Sequence, residues 1–192
     1  MTRARERRAG PSAWYLALTA AVGAQRLREL ALSRRNERGL RGRRAATRTY
    51  PLMVAAHVGL CTVPLVEIAV RRRRPRLPLL WVAALGAATA LRWWSIRSLG
   101  RSWNVRALVP DGLRPVTSGP YRFVRHPNYL AVAVEFLALP LAGGARWSAL
   151  GLSLLNAAVL ADRIRAEERL LAAAPGYEEA FRGRPRLIPG LL

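Results

Sequence analysis

The sequence predicts an all-α membrane protein: a polytopic bundle of about five transmembrane helices with a cytoplasmic helical cap at the C-terminal end. Three observations carry that prediction. Hydrophobic residues fill 52% of the 192 positions while the net charge is +21. A soluble bundle of that composition would have to hide helices that are apolar all round. The charge is segregated into blocks that separate five apolar runs. Trp14, Trp81, Trp93, Trp94, Trp103 and Trp147 lie in or near run ends, where membrane interfaces collect aromatic rings. One domain is expected over residues 1–192, with membrane helices in 1–91 and the chemically interesting half in 92–192.

The runs, in order, are Ala13–Ala24, Tyr50–Val70, Leu77–Leu91, Tyr129–Ala142 and Trp147–Ala161. A span takes roughly 20 apolar residues, which Tyr50–Val70 alone supplies. The others reach that length when flanking Trp, Tyr and Arg serve as anchors or snorkel to the interface. Leu77–Leu91 has two readings, a full crossing or a re-entrant segment. Arginine counts set the sidedness. Five crossings place 22 arginines on one side and 10 on the other, and a re-entrant third run gives the same split by a different grouping. Both readings put the third connection and the C-terminal part together in the cytoplasm. The first run leads into arginines rather than a small-residue cleavage site, so no secretory signal is read.

All 32 basic residues are Arg. Such charge suits nucleic acid or an anionic membrane surface. With no zinc-ligand spacing and no RNA-recognition aromatic motif, membrane lipids are the expected partner and nucleic acid is not. The Arg3–Arg8 block and the Arg34–Arg48 stretch read as solvated, lipid-facing charge. Cys61 is the single cysteine, so no internal disulfide or cysteine-based metal site is expected, and no metal is assigned. His57, Glu67 and Glu135 are ionisable residues inside apolar runs, where such groups face a partner or a cavity. Glu135 lies about 12 Å along its helix from Pro127. It either points into an acceptor pocket or pairs with an Arg from a neighbouring helix. His57 and Glu67 do not share a helix face.

Two constellations carry candidate chemistry. The first runs from Ser118 to Tyr129. Gly119-Pro120 is a turn signal, and Pro127 suits the first turn of the helix that follows. His126 then stands at the helix cap, where unpaired N–H groups and the dipole attract a carboxylate. Arg125 and His126 add donors, and Tyr121 and Tyr129 offer rings for an adenine or a ribose. An interfacial anchor at a helix end would use the same residue types. The second constellation is Asp162–Leu171. Asn156, Arg163 and Glu167, spaced by seven and four, share one helix face and form a polar stripe leading out of the apolar run. A carboxylate there suits the amino group of an amino-acid-like ligand. Arg163–Glu167 and Arg165–Glu168 also have the spacing of plain surface ion pairs. The helix should break at Pro175-Gly176. The tail Arg184–Gly190 is too short and Pro-rich for a further element, so it is expected to pack back over the body.

These residues bear a resemblance. Gly119-Pro120-Tyr121 with Arg125-His126-Pro127-Asn128-Tyr129 resembles the signature of the isoprenylcysteine carboxyl methyltransferase family, as do Arg165-Ala166-Glu167-Glu168-Arg169-Leu170, Tyr177 and Arg186-Leu187-Ile188-Pro189. Membrane phospholipid methyltransferases share the pattern, and the resemblance covers about the C-terminal half, from Trp93. It implies a membrane-embedded methyltransferase dependent on S-adenosylmethionine, without the Gly-rich cofactor domain of soluble enzymes. By that resemblance Tyr121, Arg125, His126, Pro127, Tyr129, Glu167 and Glu168 hold the cofactor. Ala131 departs from the glycine many relatives carry there and is expected to narrow the pocket slightly. The chain also looks similar to a bacterial branch associated with type III polyketide synthases, whose members methylate hydroxyls of long-chain alkylresorcinols or alkylpyrones.

The expected reaction is therefore methyl transfer to a lipophilic acceptor that enters laterally between helices, either an isoprenoid carboxylate or a long-chain polyketide hydroxyl. Arg165 is expected to favour the acceptor oxyanion, with Glu135 or His126 taking a proton. Two rival functions are amine methylation of a phospholipid, and anionic-lipid binding without catalysis. The sequence assigns no oligomeric state.

Overall fold

The computed structural model describes residues 10–38, 40–45, 49–72 and 75–188. The Arg3–Arg8 block, Arg48 and Pro189 lie outside the described residues. Five long helices carry the fold: α1 (Ala13–Glu37), α2 (Tyr50–Arg71), α3 (Pro78–Leu99), α4 (Pro127–Gly143) and α5 (Arg146–Leu171). A single turn, α6 (Tyr177–Ala180), follows. The one non-helical pairing described is an antiparallel ribbon of β1 (Gly42–Arg44) and β2 (Leu108–Pro110). The chain is thus all-α, and α2 and α3 are long and apolar enough to cross a membrane, while α4 is apolar but shorter.

Prolines start three helices: α2, α3 and α4 each carry one in the first turn, where its missing N–H costs nothing. The run Leu77–Leu91 does not stop at Leu91. Leu85, Ala88, Arg92, Ser95 and Ile96 recur on one buried face, so α3 continues to Leu99 and reaches full spanning length. α1 likewise outruns Ala13–Ala24. Tyr15, Thr19, Val22, Glu29 and Ser33 form one buried stripe, so the polar half of α1 turns the same face inward as the apolar half. The Arg34–Arg48 stretch, expected as solvated charge, is divided between the last turn of α1 and β1. Gly42 is required in that ribbon because a Cβ would collide with the Val109 and Pro110 backbone.

α4 is the central helix. Ala131, Phe136, Leu139 and Ala142 are fully buried, and α4 packs between α3 and α5. It ends in a Schellman motif: Gly144, at φ 85°, donates to the Leu141 carbonyl and Ala145 donates to the Pro140 carbonyl. α5 starts at once, so the two helices form a tight hairpin. At that end α1 and α2 close onto Gly143, where a Cβ would meet the Tyr15 ring and Ile68. The Tyr15 hydroxyl donates to the Leu139 carbonyl at 3.1 Å. Glu67 has a structural partner there. Its carboxylate accepts from the Trp147 and Ser148 N–H groups and the Ser148 hydroxyl, and so caps the start of α5 from α2.

The opposite end of the bundle gathers the C-terminal ends of α1, α3 and α5 with the starts of α2 and α4. The Ser33 hydroxyl accepts from the Val105 N–H, Thr49 donates to Asp162, and His126 meets Glu168. The third connection and the C-terminal part therefore lie together, as the arginine distribution required. Trp103, expected at an interface, is instead buried at 3% exposure in that connection. The Asn36 side chain on α1 donates to its carbonyl at 2.7 Å.

Candidate functional site

A half-enclosed cavity of about 540 Å³ opens from this end into the bundle. That volume lies within the range that encloses a cofactor or a drug-sized ligand. Its outer part is lined by Tyr121, Arg125, His126, Asn128, Tyr129, Arg163, Glu167, Tyr177 and Phe181. Its inner part is lined by Arg26, Leu27 and Leu30 of α1, Met53, Val54, His57, Val58 and Cys61 of α2, and Arg92 of α3.

The outer part is built from the start of α4. Pro127 opens the helix and leaves His126 in a non-helical conformation just before it. The His126 ring stacks on Tyr129 at 5.5 Å, and its Nε2 lies 3.3 Å from Glu168 Oε1. Arg186 Nε donates to the other Glu168 oxygen at 2.8 Å. Burial pushes the Glu168 carboxyl up, but His126 and then Arg186 outweigh it and hold the group below the ordinary carboxylate range. The Tyr129 hydroxyl donates to Glu167 Oε2 at 2.5 Å, and the Arg163 guanidinium lies 5.8 Å from the centre of the Tyr129 ring. Burial, reinforced by Glu167, pushes the Tyr121 and Tyr177 phenols up, so both remain hydrogen-bond donors.

The tail closes over this part. Arg125 and His126 donate their N–H groups to the Pro185 and Arg186 carbonyls, each at 2.9 Å. The Arg125 guanidinium donates to the Arg184 and Phe181 carbonyls, and Arg184 donates back to the Tyr121 carbonyl. The third connection forms the facing wall. Asn104 organises it by donating to the Ser102 and Leu108 carbonyls while its own oxygen accepts from the Arg106 and Leu108 N–H groups. Arg163 then bridges from α5 to the Val105 carbonyl at 2.8 Å.

Six of the nine residues singled out by sequence meet here. Tyr121, Arg125, His126, Tyr129 and Glu167 line the cavity, and Glu168 supports His126 from behind. Pro127 shapes the helix start without lining the cavity. The stripe Asn156, Arg163 and Glu167 faces inward as its spacing requires. Two expectations need correction. Arg165 is exposed and outside the lining, because it stands two residues, about 200° of helix, beyond Arg163. The arginine that faces the cavity is Arg163. Glu135 resolves to the second of its two readings: it is buried and pairs with Arg26 Nη2 at 3.0 Å. It stands behind the cavity wall, not in it. Glu168 uses His126 and Arg186 as partners instead of Arg165. Ala131 is buried and does not line the cavity, so its methyl group narrows nothing there.

The inner part holds what sequence reasoning missed. Glu29 takes a two-pronged hydrogen bond from Arg92 at 2.8 and 2.7 Å, and its Oε2 lies 2.9 Å from Arg26. With the Arg26–Glu135 pair, two arginines and two glutamates from α1, α3 and α4 form one buried cluster. Such ions persist in an interior only when fully paired. Arg26 and Glu29 looked like connection residues because the apolar run ended at Ala24. Their inward face shows only when the spacing from Tyr15 is carried on into the charged segment.

A helical bundle with two helices long and apolar enough to cross a membrane, and one internal cavity lined by charged, aromatic and apolar side chains, fits a helical membrane protein with an internal binding chamber. The isoprenylcysteine carboxyl methyltransferase (ICMT) family matches residues 81–173. Among curated proteins, the chain is 33% identical over 158 residues to "Uncharacterized protein YpbQ" of Bacillus subtilis, an alignment covering 80% of this chain and 94% of that one. It is also 34% identical over 119 residues to "Cobalt-zinc-cadmium resistance protein CzcN" of Cupriavidus metallidurans, covering 58% of this chain and 52% of the relative. The chain belongs to the isoprenylcysteine carboxyl methyltransferase family. It is a membrane methyltransferase, and the matched segment contains the whole of α4 and α5, the two helices that carry the outer part of the cavity.

Proposed function

We propose that the protein transfers a methyl group from S-adenosylmethionine to an oxygen of a lipophilic acceptor, with the donor in the outer part of the cavity and the acceptor in the inner part. The observation that carries this is the continuity of one cavity from His126, Tyr129 and Glu167 to Leu27, Val54 and Val58. The residues at the outer end fit the donor. Arg125, whose described side-chain hydrogen bonds go only to carbonyl oxygens, retains its charge for an amino-acid carboxylate. Glu167 offers a carboxylate for the amino group. Tyr121, Tyr177 and Phe181 supply flat surfaces for an adenine. Asn128 has a buried oxygen, and Arg163 buried nitrogens, that lack partners among the described residues.

When bound, S-adenosylmethionine supplies an electrophilic methyl group on a sulfonium. The protein's residues then have to align an acceptor oxygen with it and exclude water. Alignment of that kind is worth about 7–11 kcal/mol. The tail, strapped to Arg125 and His126 by backbone hydrogen bonds, covers the polar end, and the helices cover the other. Leu27, Val54 and Val58 are exposed on α1 and α2 where those helices flank the inner part, which favours entry of an apolar tail from the lipid. All five long helices cross the membrane in this reading. The arginine-rich end that carries the site faces the cytoplasm across a bacterial cytoplasmic membrane.

The test is calorimetric titration of the detergent-purified protein with S-adenosylhomocysteine, wild type beside Glu167→Gln and His126→Ala. Saturable binding that both substitutions weaken is expected. A folded wild type that does not bind would overturn the assignment.

A further inference from the structure

Resting on the methyltransferase reading above, we propose that His57 is the group that receives the acceptor's proton, and that the acceptor oxygen is therefore a neutral, weakly acidic hydroxyl. The ring is oriented by its own helix. His57 Nδ1 lies 2.8 Å from the Met53 carbonyl one turn earlier. A carbonyl can only accept, so Nδ1 carries the hydrogen and Nε2 is left with its lone pair. The ring is further fixed edge-on against Phe136 of α4, with centroids 5.0 Å apart. His57 lines the inner cavity, and Nε2 has no hydrogen-bond partner among the described residues. It is an oriented acceptor in the chamber that the acceptor must enter.

The surrounding charges argue the same way. The charged groups nearest the ring are Arg26 and Glu29 of α1 and Arg92 of α3, with the Cys61 thiol on its own helix, and Glu135 of α4 stands behind them, paired with Arg26. Both arginines are already paired with the two glutamates, so the cluster is balanced. A carboxylate brings no hydrogen for Nε2 to accept. A hydroxyl needs only an acceptor for its hydrogen, and Nε2 is one. In the reaction the acceptor oxygen forms its bond to the methyl carbon as the carbon–sulfur bond breaks. The electron pair of that bond stays on sulfur as a thioether, and the hydroxyl proton passes to His57 Nε2. The imidazolium loses that proton to water before the next turnover.

Three measurements on the full chain in detergent test this. The first is donor-free binding, followed by tryptophan fluorescence, of a long-chain alkylphenol and of its methyl ether. The wild type should prefer the phenol, and His57→Phe should lose the preference. The second is methylation by His57→Gln, which should slow the parent phenol by about a hundredfold or more, as loss of a general base does. A polyfluorinated alkylphenol, acidic enough to be largely ionised at neutral pH, should react near the wild-type rate in that variant. The third is S-adenosylhomocysteine binding, which both variants should retain. Equal rates for wild type and His57→Gln on the parent phenol would overturn the proposal. So would equal loss on both phenols, or a wild type that methylates a fatty acid of matched length in preference to the phenol, or neither. Failure of the broader reading looks different: the wild type itself would not bind S-adenosylhomocysteine.

Discussion

Replacing Glu29 by alanine tests whether the inner charge cluster holds the bundle together. Glu29 is 1% exposed and gives both carboxylate oxygens to Arg92, which is itself 5% exposed. The substitution removes that two-pronged bond and the 2.9 Å contact with Arg26, and leaves Arg92 buried without a carboxylate. Arg26 keeps Glu135, so the loss centres on one stranded guanidinium. Removing one partner of a buried pair costs about 3–5 kcal/mol. For a chain of this size each kcal/mol moves the melting temperature by about 2–4 °C, so a fall of roughly 6–20 °C is expected by circular dichroism in detergent. The double substitution Glu29→Leu with Arg92→Met supplies the control. It removes both charges and keeps the volume, and should recover most of the loss, because well-packed apolar replacements of a buried pair are often neutral or stabilising. A Glu29→Ala protein that melts with the wild type would refute the reasoning, since Arg92 would then have another way to meet its charge.

Other outcomes follow from the same geometry. Glu67→Ala removes the cap on α5 and should cost about 0.5–2 kcal/mol, read as a lower melting temperature; an unchanged value would mean that α5 does not depend on α2 for its first N–H groups. Gly143→Ala should cost about 1–3 kcal/mol by overpacking against Tyr15 and Ile68, and an unaffected protein would show that α1 and α2 do not close there. Glu168 gives a pH dependence. Its pKa is depressed in the folded protein by His126 and Arg186, against the burial that raises it. Its contribution is therefore present above the unfolded carboxylate pKa and disappears as pH falls through the lower, folded value. Melting temperature followed against pH should decline on the acid side in the wild type, and that decline should be shallower in Glu168→Gln.

Much of the fold is legible wherever local pattern and tertiary demand agree. The five apolar runs mark all five long helices, and Pro127 marks the start of α4 because a fixed φ is a local requirement. The boundaries fail where a helix changes character midway. α1 and α3 each pass from an apolar segment into a charged or aromatic one without losing their inward face, and hydropathy ends them at Ala24 and Leu91. Glu67 shows the same limit. As an acid in an apolar run it looked anomalous, and its explanation is two N–H groups at the start of α5, some 80 residues away in the chain.

The site divides along the same line. Its outer part was legible because most residues that meet there come from two short segments, Tyr121–Tyr129, a turn leading into the start of α4, and Arg163–Glu168, part of α5. Arg163 lies on the α5 face that its spacing from Asn156 and Glu167 defines, whereas Arg165, two residues further on, lies off that face. The inner part joins residues 63 and 109 positions apart, Glu29 with Arg92 and Arg26 with Glu135. No local period links such pairs. What does announce them is charge placed on a face that the apolar residues have already assigned to the interior. Arg26, Glu29, His57, Arg92 and Glu135 all satisfy that criterion once the helix ends are known. An arginine or glutamate on such a face must find its opposite, so two of each within one bundle imply pairing. The ionisable residue left over, His57, is then the one free to meet a ligand.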